Sequence, residues 1–236
     1  MIKAKNLGIK LDNYEIFNGL DFVVEKGKVT IIVGLNGTGK TTLMKALCGE
    51  IKHRGELERD FSKYFYLPQK ISYPNNLTLF EYLSSIFYRK NFKWSLDDNE
   101  KEEIKRAVKE VELEGKENLK LEKLSAGELQ KANIALALLS GAEVLFLDEP
   151  TSNMDLINQI KILDILGHLK LTSVLILHDL NLASNYGDNF IGITRKGSIV
   201  CENKAKFFKK EVLNTVYGLD FEVIEGEKNI FVQVFN

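Results

Sequence analysis

Apolar and polar positions change rhythm several times along the chain, and each change predicts an element. From Met1 to about Val33 short β-rich segments alternate with turns, ending in KVTIIVG (28–34), an unbroken apolar run of the kind buried on both faces of a parallel sheet. A helix follows at once, KTTLMKALCGEI (40–51), and KYFYLPQ (63–69) reads as a short strand stopped by Pro68. From about Leu77 to Lys123 the apolar spacing turns helical and the charge becomes dense and mixed. DDNEKEEIKRAVKEVEL (97–113) carries Glu/Lys pairs one turn apart, which support a solvent-facing helix. Strand and helix then alternate: a helix from about Ala126, the strand EVLFLD (143–148), a helix near 156–169, the strand SVLILH (173–178), another helix, and strands at NFIGIT (189–194) and GSIVCE (197–202). After Lys209 a short helix and the strands FEVIE (221–225) and IFVQVF (230–235) close the chain. The alternation predicts an α/β fold with a wound, mostly parallel sheet. A helical subdomain, about 77–139, is expected between core segments of about 1–76 and 140–236.

Composition narrows the classes of function. The 236 residues, 44% of them hydrophobic, are ample for a packed core, and three prolines leave domain boundaries soft. A formal net charge of −1 with 28% charged residues offers no basic surplus to mark nucleic acid or an anionic membrane as the main partner. Cys48 and Cys201 show neither C-x-x-C nor metal-ligand spacing, as suits a reducing cytosol. The longest apolar runs, IALALL and VLFL, fall far short of the roughly 18 to 20 residues of a membrane span. With no signal-peptide pattern at the N-terminus, any membrane role is expected to come through another chain.

The strongest chemical signal is GLNGTGKTT (34–42), which matches G-x-x-x-x-G-K-[ST] between a buried strand and a helix. Gly34, Gly37 and Gly39, with Leu35, Asn36 and Thr38 between them, let backbone N–H groups turn inward around nucleotide phosphates. Lys40 is placed for the β- and γ-phosphates, Thr41 offers a hydroxyl to Mg²⁺, and Thr42 continues a helix whose N-terminus adds partial positive charge. Downstream, EVLFLDEPTSNMD puts Asp148 and Glu149 at the C-terminal end of an apolar strand, where ligands of wound sheets gather. Asp148 suits Mg²⁺, and Glu149 suits a base or water-orienting group for attack on the γ-phosphate. KLSAGELQK (123–131) reads locally as a helix start: Ser125 and Glu128 form an S-x-x-E capping box ahead of an apolar run.

Taken in order, these motifs resemble the ATP-binding cassette ATPases over nearly the whole chain. Gly34 to Thr42 resembles the Walker A loop, LPQ with Gln69 the Q-loop, LSAGE (124–128) the signature motif, and LFLDE (145–149) Walker B. TSNMD with Asp155 resembles the D-loop, and LHDLN with His178 the switch histidine loop. Alone, Gln69 would pass for a solvated loop amide and His178 for a structural histidine. The resemblance implies that Gln69 meets Mg²⁺ and the attacking water, and that His178 contacts the γ-phosphate and orients Glu149. It also implies a P-loop core with an antiparallel β subdomain at the N-terminus and an inserted helical subdomain. Ser125, Ala126, Gly127 and Glu128, with Asp155, are then expected to complete the ATP site of a second subunit. Ala126 stands where the family usually has glycine, and Leu136 where it usually has arginine. The adenine-stacking aromatic is left between Tyr14 and the position of Leu11.

LHDLNLASNYGD and VLNTVYGLDFEVIE are similar to the metal-chelate importer branch, which serves permeases for ferric siderophores, haem or cobalamin. That similarity implies a cytoplasmic ATPase on the inner face of the membrane, working as a homodimer beneath separate transmembrane subunits that an external binding protein supplies. The aromatic stretch LTLFEYLSSIFYR (77–89) reads either as permease-docking surface or as helical core. The alternatives are a soluble ABC ATPase of the iron–sulfur assembly kind and a cassette of a different importer.

Overall fold

The computed structural model describes the chain except residues 13, 74, 92–94, 227–229 and 236, and the side chains of 89–91 and 235. The elements run in order as β1 (Ile2–Leu11), β2 (Tyr14–Val24), β3 (Val29–Gly34), α1 (Lys40–Cys48), β4 (Arg54–Arg59), β5 (Tyr64–Leu67), α2 (Leu79–Asn91), α3 (Asp98–Glu110) and α4 (Ala126–Ser140). They continue as β6 (Val144–Asp148), α5 (Leu156–His168), β7 (Thr172–Ile176), α6 (Leu180–Tyr186), β8 (Asn189–Ile193), β9 (Ile199–Asn203), α7 (Lys204–Phe207), α8 (Lys210–Tyr217), β10 (Asp220–Glu225) and β11 (Ile230–Phe235).

The central sheet has the order β5-β6-β7-β3-β8-β9. All its pairs are parallel except β8 with β9. Its inner strands are apolar on both faces because each face has its own core. Ile31, Val33, Leu145, Leu147 and Leu175 point into a cluster with α4, α5 and α8. Ile32, Phe146, Val174, Ile176, Ile191 and Ile193 point the other way, onto α1 and the antiparallel sheet β2-β1-β4. Period-two alternation of side chains divides every inner strand between the two layers. Burial of α1 through Leu43, Met44 and Leu47, all 0% exposed, fixes the helix behind the phosphate loop. Truncating one of these side chains to alanine is expected to cost about 2–5 kcal/mol.

Three local outcomes differ from the sequence reading. The N-terminal segment forms two long paired strands, with register shifts between Ala4 and Leu7 and again around Ile9, where short pieces were expected. β4, RGELER, was not foreseen because neither face is apolar; it is held by its backbone ladder to β1. α1 stops at Cys48 rather than Ile51 because Gly49 adopts φ 86°, and its N–H returns to the carbonyls of Ala46 and Lys45. The Arg59 guanidinium adds a second cap, donating to Leu47 O at 2.8 Å and Ala46 O at 2.7 Å. Among the described residues no helix is long and apolar enough to cross a membrane.

Candidate functional site

Parallel strands deliver their C-terminal ends to one edge of the sheet, and four such ends build the site. β3 ends at Gly34, β5 runs on to Gln69, β6 ends at Asp148, and β7 runs on to His178. An open cleft of about 640 Å³ results, lined by Ile16, Asn36, Gly37, Gly39, Lys40, Thr41, Thr42, Gln69, Glu149 and His178.

The phosphate loop has the conformation that its glycines permit. Gly37 and Gly39 stand at φ 79° and 95°, and a Cβ on Gly39 would lie 2.8 Å from both Ile16 Cγ2 and Phe17 Cζ. Only glycine fits between the loop and β2. Lys40 is 6% exposed, and its ammonium donates to the carbonyls of Gly34 and Leu35, each at 2.9 Å. Burial lowers its pKa, while the carboxylates of Glu149 and Asp148 oppose that shift. Thr38 Oγ1 donates to Leu35 O at 2.9 Å and closes the turn.

Two carboxylates face this loop in different ways. Asp148, 4% exposed, accepts a hydrogen bond from Thr41 Oγ1 on Oδ2 at 2.8 Å, while its Oδ1 is buried without a partner. Burial raises its pKa, against the bond from Thr41, and the nearby Glu149 charge raises it further. A buried carboxylate oxygen without a donor is costly, and a cation would satisfy it. Glu149 is held at both oxygens: Gln69 Nε2 donates to Oε2 at 2.5 Å, and His178 Nε2 meets Oε1 at 2.6 Å. Its backbone is left-handed, φ 54°, in the turn before Pro150. Such a conformation costs a non-glycine residue on the order of 1–3 kcal/mol and persists where surrounding structure enforces it.

Ser125 to Glu128 lie outside the cleft, at the start of α4. The capping box forms as the sequence reads: Ser125 Oγ accepts from Glu128 N at 3.3 Å, and Glu128 Oε2 accepts from Ser125 N at 2.7 Å. Lys116 pairs with the other carboxylate oxygen, and with the Ser125 bonds it lowers the Glu128 pKa to about 2. Gly127 sits against Asn158 of α5, whose amide is bound by Asp155 Oδ2 at 2.7 Å. Asp155 caps α5, also accepting from Asn158 N at 2.9 Å. The LSAGE and TSNMD segments are therefore one surface within the chain, apart from the loop of Lys40.

The structure thus gathers residues 34–42, Gln69, Asp148, Glu149 and His178, and sets Ser125–Glu128 and Asp155 elsewhere. Tyr14 is 77% exposed at the tip of the β1–β2 hairpin, opposite Leu11, and the cleft is lined by Ile16 instead. Nothing in the sequence singles out Ile16, because the bulged register of the hairpin decides which residue reaches the loop. Lys116 and Asn158 were equally unmarked, being 12 residues from Glu128 and 31 from Gly127.

The pattern of the ABC transporter family matches residues 17–152, more than half of the chain. An uncharacterized ABC transporter ATP-binding protein of Methanocaldococcus jannaschii is 35% identical over 93% of this chain and 92% of its own length. The iron(3+)-hydroxamate import ATP-binding protein FhuC of Bacillus subtilis is 31% identical over 94% of this chain and 90% of its own. Among solved structures, a metal-chelate type ABC transporter in an inward-facing conformation superposes with a TM-score of 0.87 at 23% identity, covering 99% of this chain and 96% of that one. At that identity the likeness is one of fold. The chain belongs to the ABC transporter family, as one of its ATP-binding cassette ATPases.

Proposed function

We propose that this chain hydrolyses MgATP as the paired ATPase subunit of an importer for a metal chelate, on the cytoplasmic side of a membrane whose permease is a separate chain. The observation that carries the hydrolytic reading is Glu149, suspended between Gln69 and His178 and facing Lys40, Thr41 and Asp148. The lysine and the loop amides hold the phosphates. Glu149 orients or deprotonates water, Gln69 sets the carboxylate's position, and His178 holds its other oxygen.

The residues fit a magnesium ion. The Thr41 hydroxyl, the orphaned Asp148 Oδ1 and the Gln69 amide oxygen are hard oxygen donors. Among the described residues no cluster of His, Cys, Asp and Glu forms a metal cage by itself. A cation here would take its remaining ligands from phosphate and water, as magnesium prefers. When bound it would neutralise charge developing on the phosphate oxygens.

Three features support pairing with a second copy. The Ser125–Glu128 helix start offers backbone donors to an anion but lies away from this chain's own Lys40. Asp155 borders it, and Leu156 and Ile157 beside it are 59% and 67% exposed, which a partner surface would cover. The names of the iron(3+)-hydroxamate import relative and the metal-chelate type neighbour favour chelate cargo. Residues 77–139 are proposed as the unit that moves against the core, and the half-exposed Tyr88 of α2 as part of its permease-facing side.

The test is Glu149→Gln. Steady-state ATPase is expected to fall by a factor of about 100 or more while nucleotide binding persists, since the base is lost and the phosphate cradle kept. Wild-type turnover in that variant would sink the assignment. Co-purification with a polytopic membrane protein tests the transport reading.

A further inference from the structure

We infer that the C-terminal β10–β11 hairpin is a brace for His178, and that Asn181 is the positioning residue through which it acts. The inference rests on the reading of Glu149 and His178 as the hydrolytic pair. His178 lies beyond the regular ladder of its strand: β7 pairs with β3 only as far as Ile176, and the next bond, Leu177 N to Ile32 O, is long at 3.4 Å. Beyond that point the chain is placed by α6, which is only seven residues long. A helix of that length has little stability of its own and takes its position from what it packs on.

Three contacts fix α6. Asp179 Oδ1 caps it, accepting from Asn181 N at 2.8 Å and Leu182 N at 3.0 Å. Leu182, Ala183 and Ser184 are buried. The third contact is β11. The Asn181 amide presents a donor and an acceptor side by side, as a peptide group does, and pairs with the backbone of Val232. Its Oδ1 accepts from Val232 N at 2.8 Å, and its Nδ2 donates to Val232 O at 3.4 Å. One turn on, the fully buried Ser184 Oγ shares its one proton between Ile230 O at 3.0 Å and Asn181 O at 2.9 Å.

The hairpin is therefore stitched to α6 three residues from a ring nitrogen that must stay within 2.6 Å of Glu149. Neither Asn181 nor Val232 lines the cleft, so their effect must pass through His178. Small displacements of an aligned catalytic group cost rate steeply.

The experiment is steady-state ATPase of the full chain carrying Asn181→Ala, Asn181→Asp, His178→Ala, the double variant and Glu149→Gln. Asn181→Ala is expected to lower kcat about ten-fold with KM for MgATP within about two-fold of wild type, as for loss of a supporting hydrogen bond around a site. Asn181→Asp keeps the acceptor for Val232 N but sets a second carboxylate oxygen against Val232 O, and is expected to recover only part of that loss. In the His178→Ala background Asn181→Ala should cost nothing further, since the group it positions is gone. Unchanged kcat in Asn181→Ala, or the same loss with His178 present and absent, overturns the brace. Wild-type turnover in Glu149→Gln instead overturns the hydrolytic pair, and the brace with it.

Discussion

The cleft and the LSAGE surface are both built where helices begin, yet their polar groups are disposed in opposite ways. In the cleft one acceptor stays open while its neighbours are held in place. Asp148 Oδ1 is buried without a donor, Lys40 spends its ammonium on main-chain carbonyls, and Glu149 is held in a left-handed turn. At the other surface nearly every side chain is already answered within the chain. Ser125 and Glu128 bond each other, Lys116 neutralises Glu128, and Asp155 and Asn158 are paired. The first region is arranged to receive compensating charge, and the second is a finished surface able to present backbone donors without rearranging. The difference teaches how the proposed division of the site between two copies would work: the phosphate cradle and the carboxylates stay in one half and the anion template in the other.

The largest break in this comparison is expected from Ser125→Arg. A long cation at the helix start removes the cap and fills the space an anion would occupy. ATP-dependent dimerisation, followed by light scattering, should disappear, and turnover should fall by a factor of about 100, while monomer affinity for nucleotide stays near wild type. A dimer that still forms with ATP would show that the finished surface is not a template. Conversely, loss of monomer binding would show that the two regions are not separate.

A smaller effect is expected where the two regions are joined. Asn133 of α4 is 0% exposed; its Oδ1 accepts from Tyr82 on α2 at 2.8 Å, and its amide nitrogen donates to Tyr73, just after the Gln69 segment, at 2.7 Å. Tyr82→Phe leaves a buried amide oxygen without its donor and should destabilise the fold by about 1–3 kcal/mol in urea unfolding. A loss well below that would mean the two regions are less firmly tied than the network implies.

The smallest effect is expected from Lys116→Ala. The pair with Glu128 is partly exposed, so its removal should cost under about 1 kcal/mol. The pH dependence is the sharper reading. A carboxylate held below its usual value stabilises the fold above its unfolded pKa, and that contribution fades as pH falls toward about 2, the folded value of Glu128. Without Lys116 the folded pKa should rise, and the acid limb of an unfolding titration should begin at higher pH. An unshifted limb would show that Ser125 alone holds Glu128.

Most of the architecture was legible because inner strands and helices carry their periods openly: 31–33, 144–147 and 174–177 are apolar throughout, and 40–48 follows a glycine loop. β4 escaped because an edge strand held by backbone bonds has no side-chain pattern to read, and α7 because four residues carry too little periodicity. In the site, Lys40, Thr41, Asp148, Glu149 and His178 were legible from motif and strand context. Ile16, Asn133, Asn158 and Asn181 were not. Each works through a partner at least 23 residues away in the chain, as Ile16 does with Gly39, and single-sequence patterns carry no record of such pairings.

The backbone of Glu149 sets stability against turnover. Asparagine tolerates φ near 54° far better than glutamate does, so Glu149→Asn should relieve roughly 1 kcal/mol and raise the melting temperature by about 2–4 °C while ending hydrolysis. Calorimetry alone would rank that variant above the wild type, and a lower melting temperature would show that the bonds to Gln69 and His178 outweigh the turn. A screen for thermal stability that ignored activity would thus tend to discard the very residue on which the proposed chemistry depends.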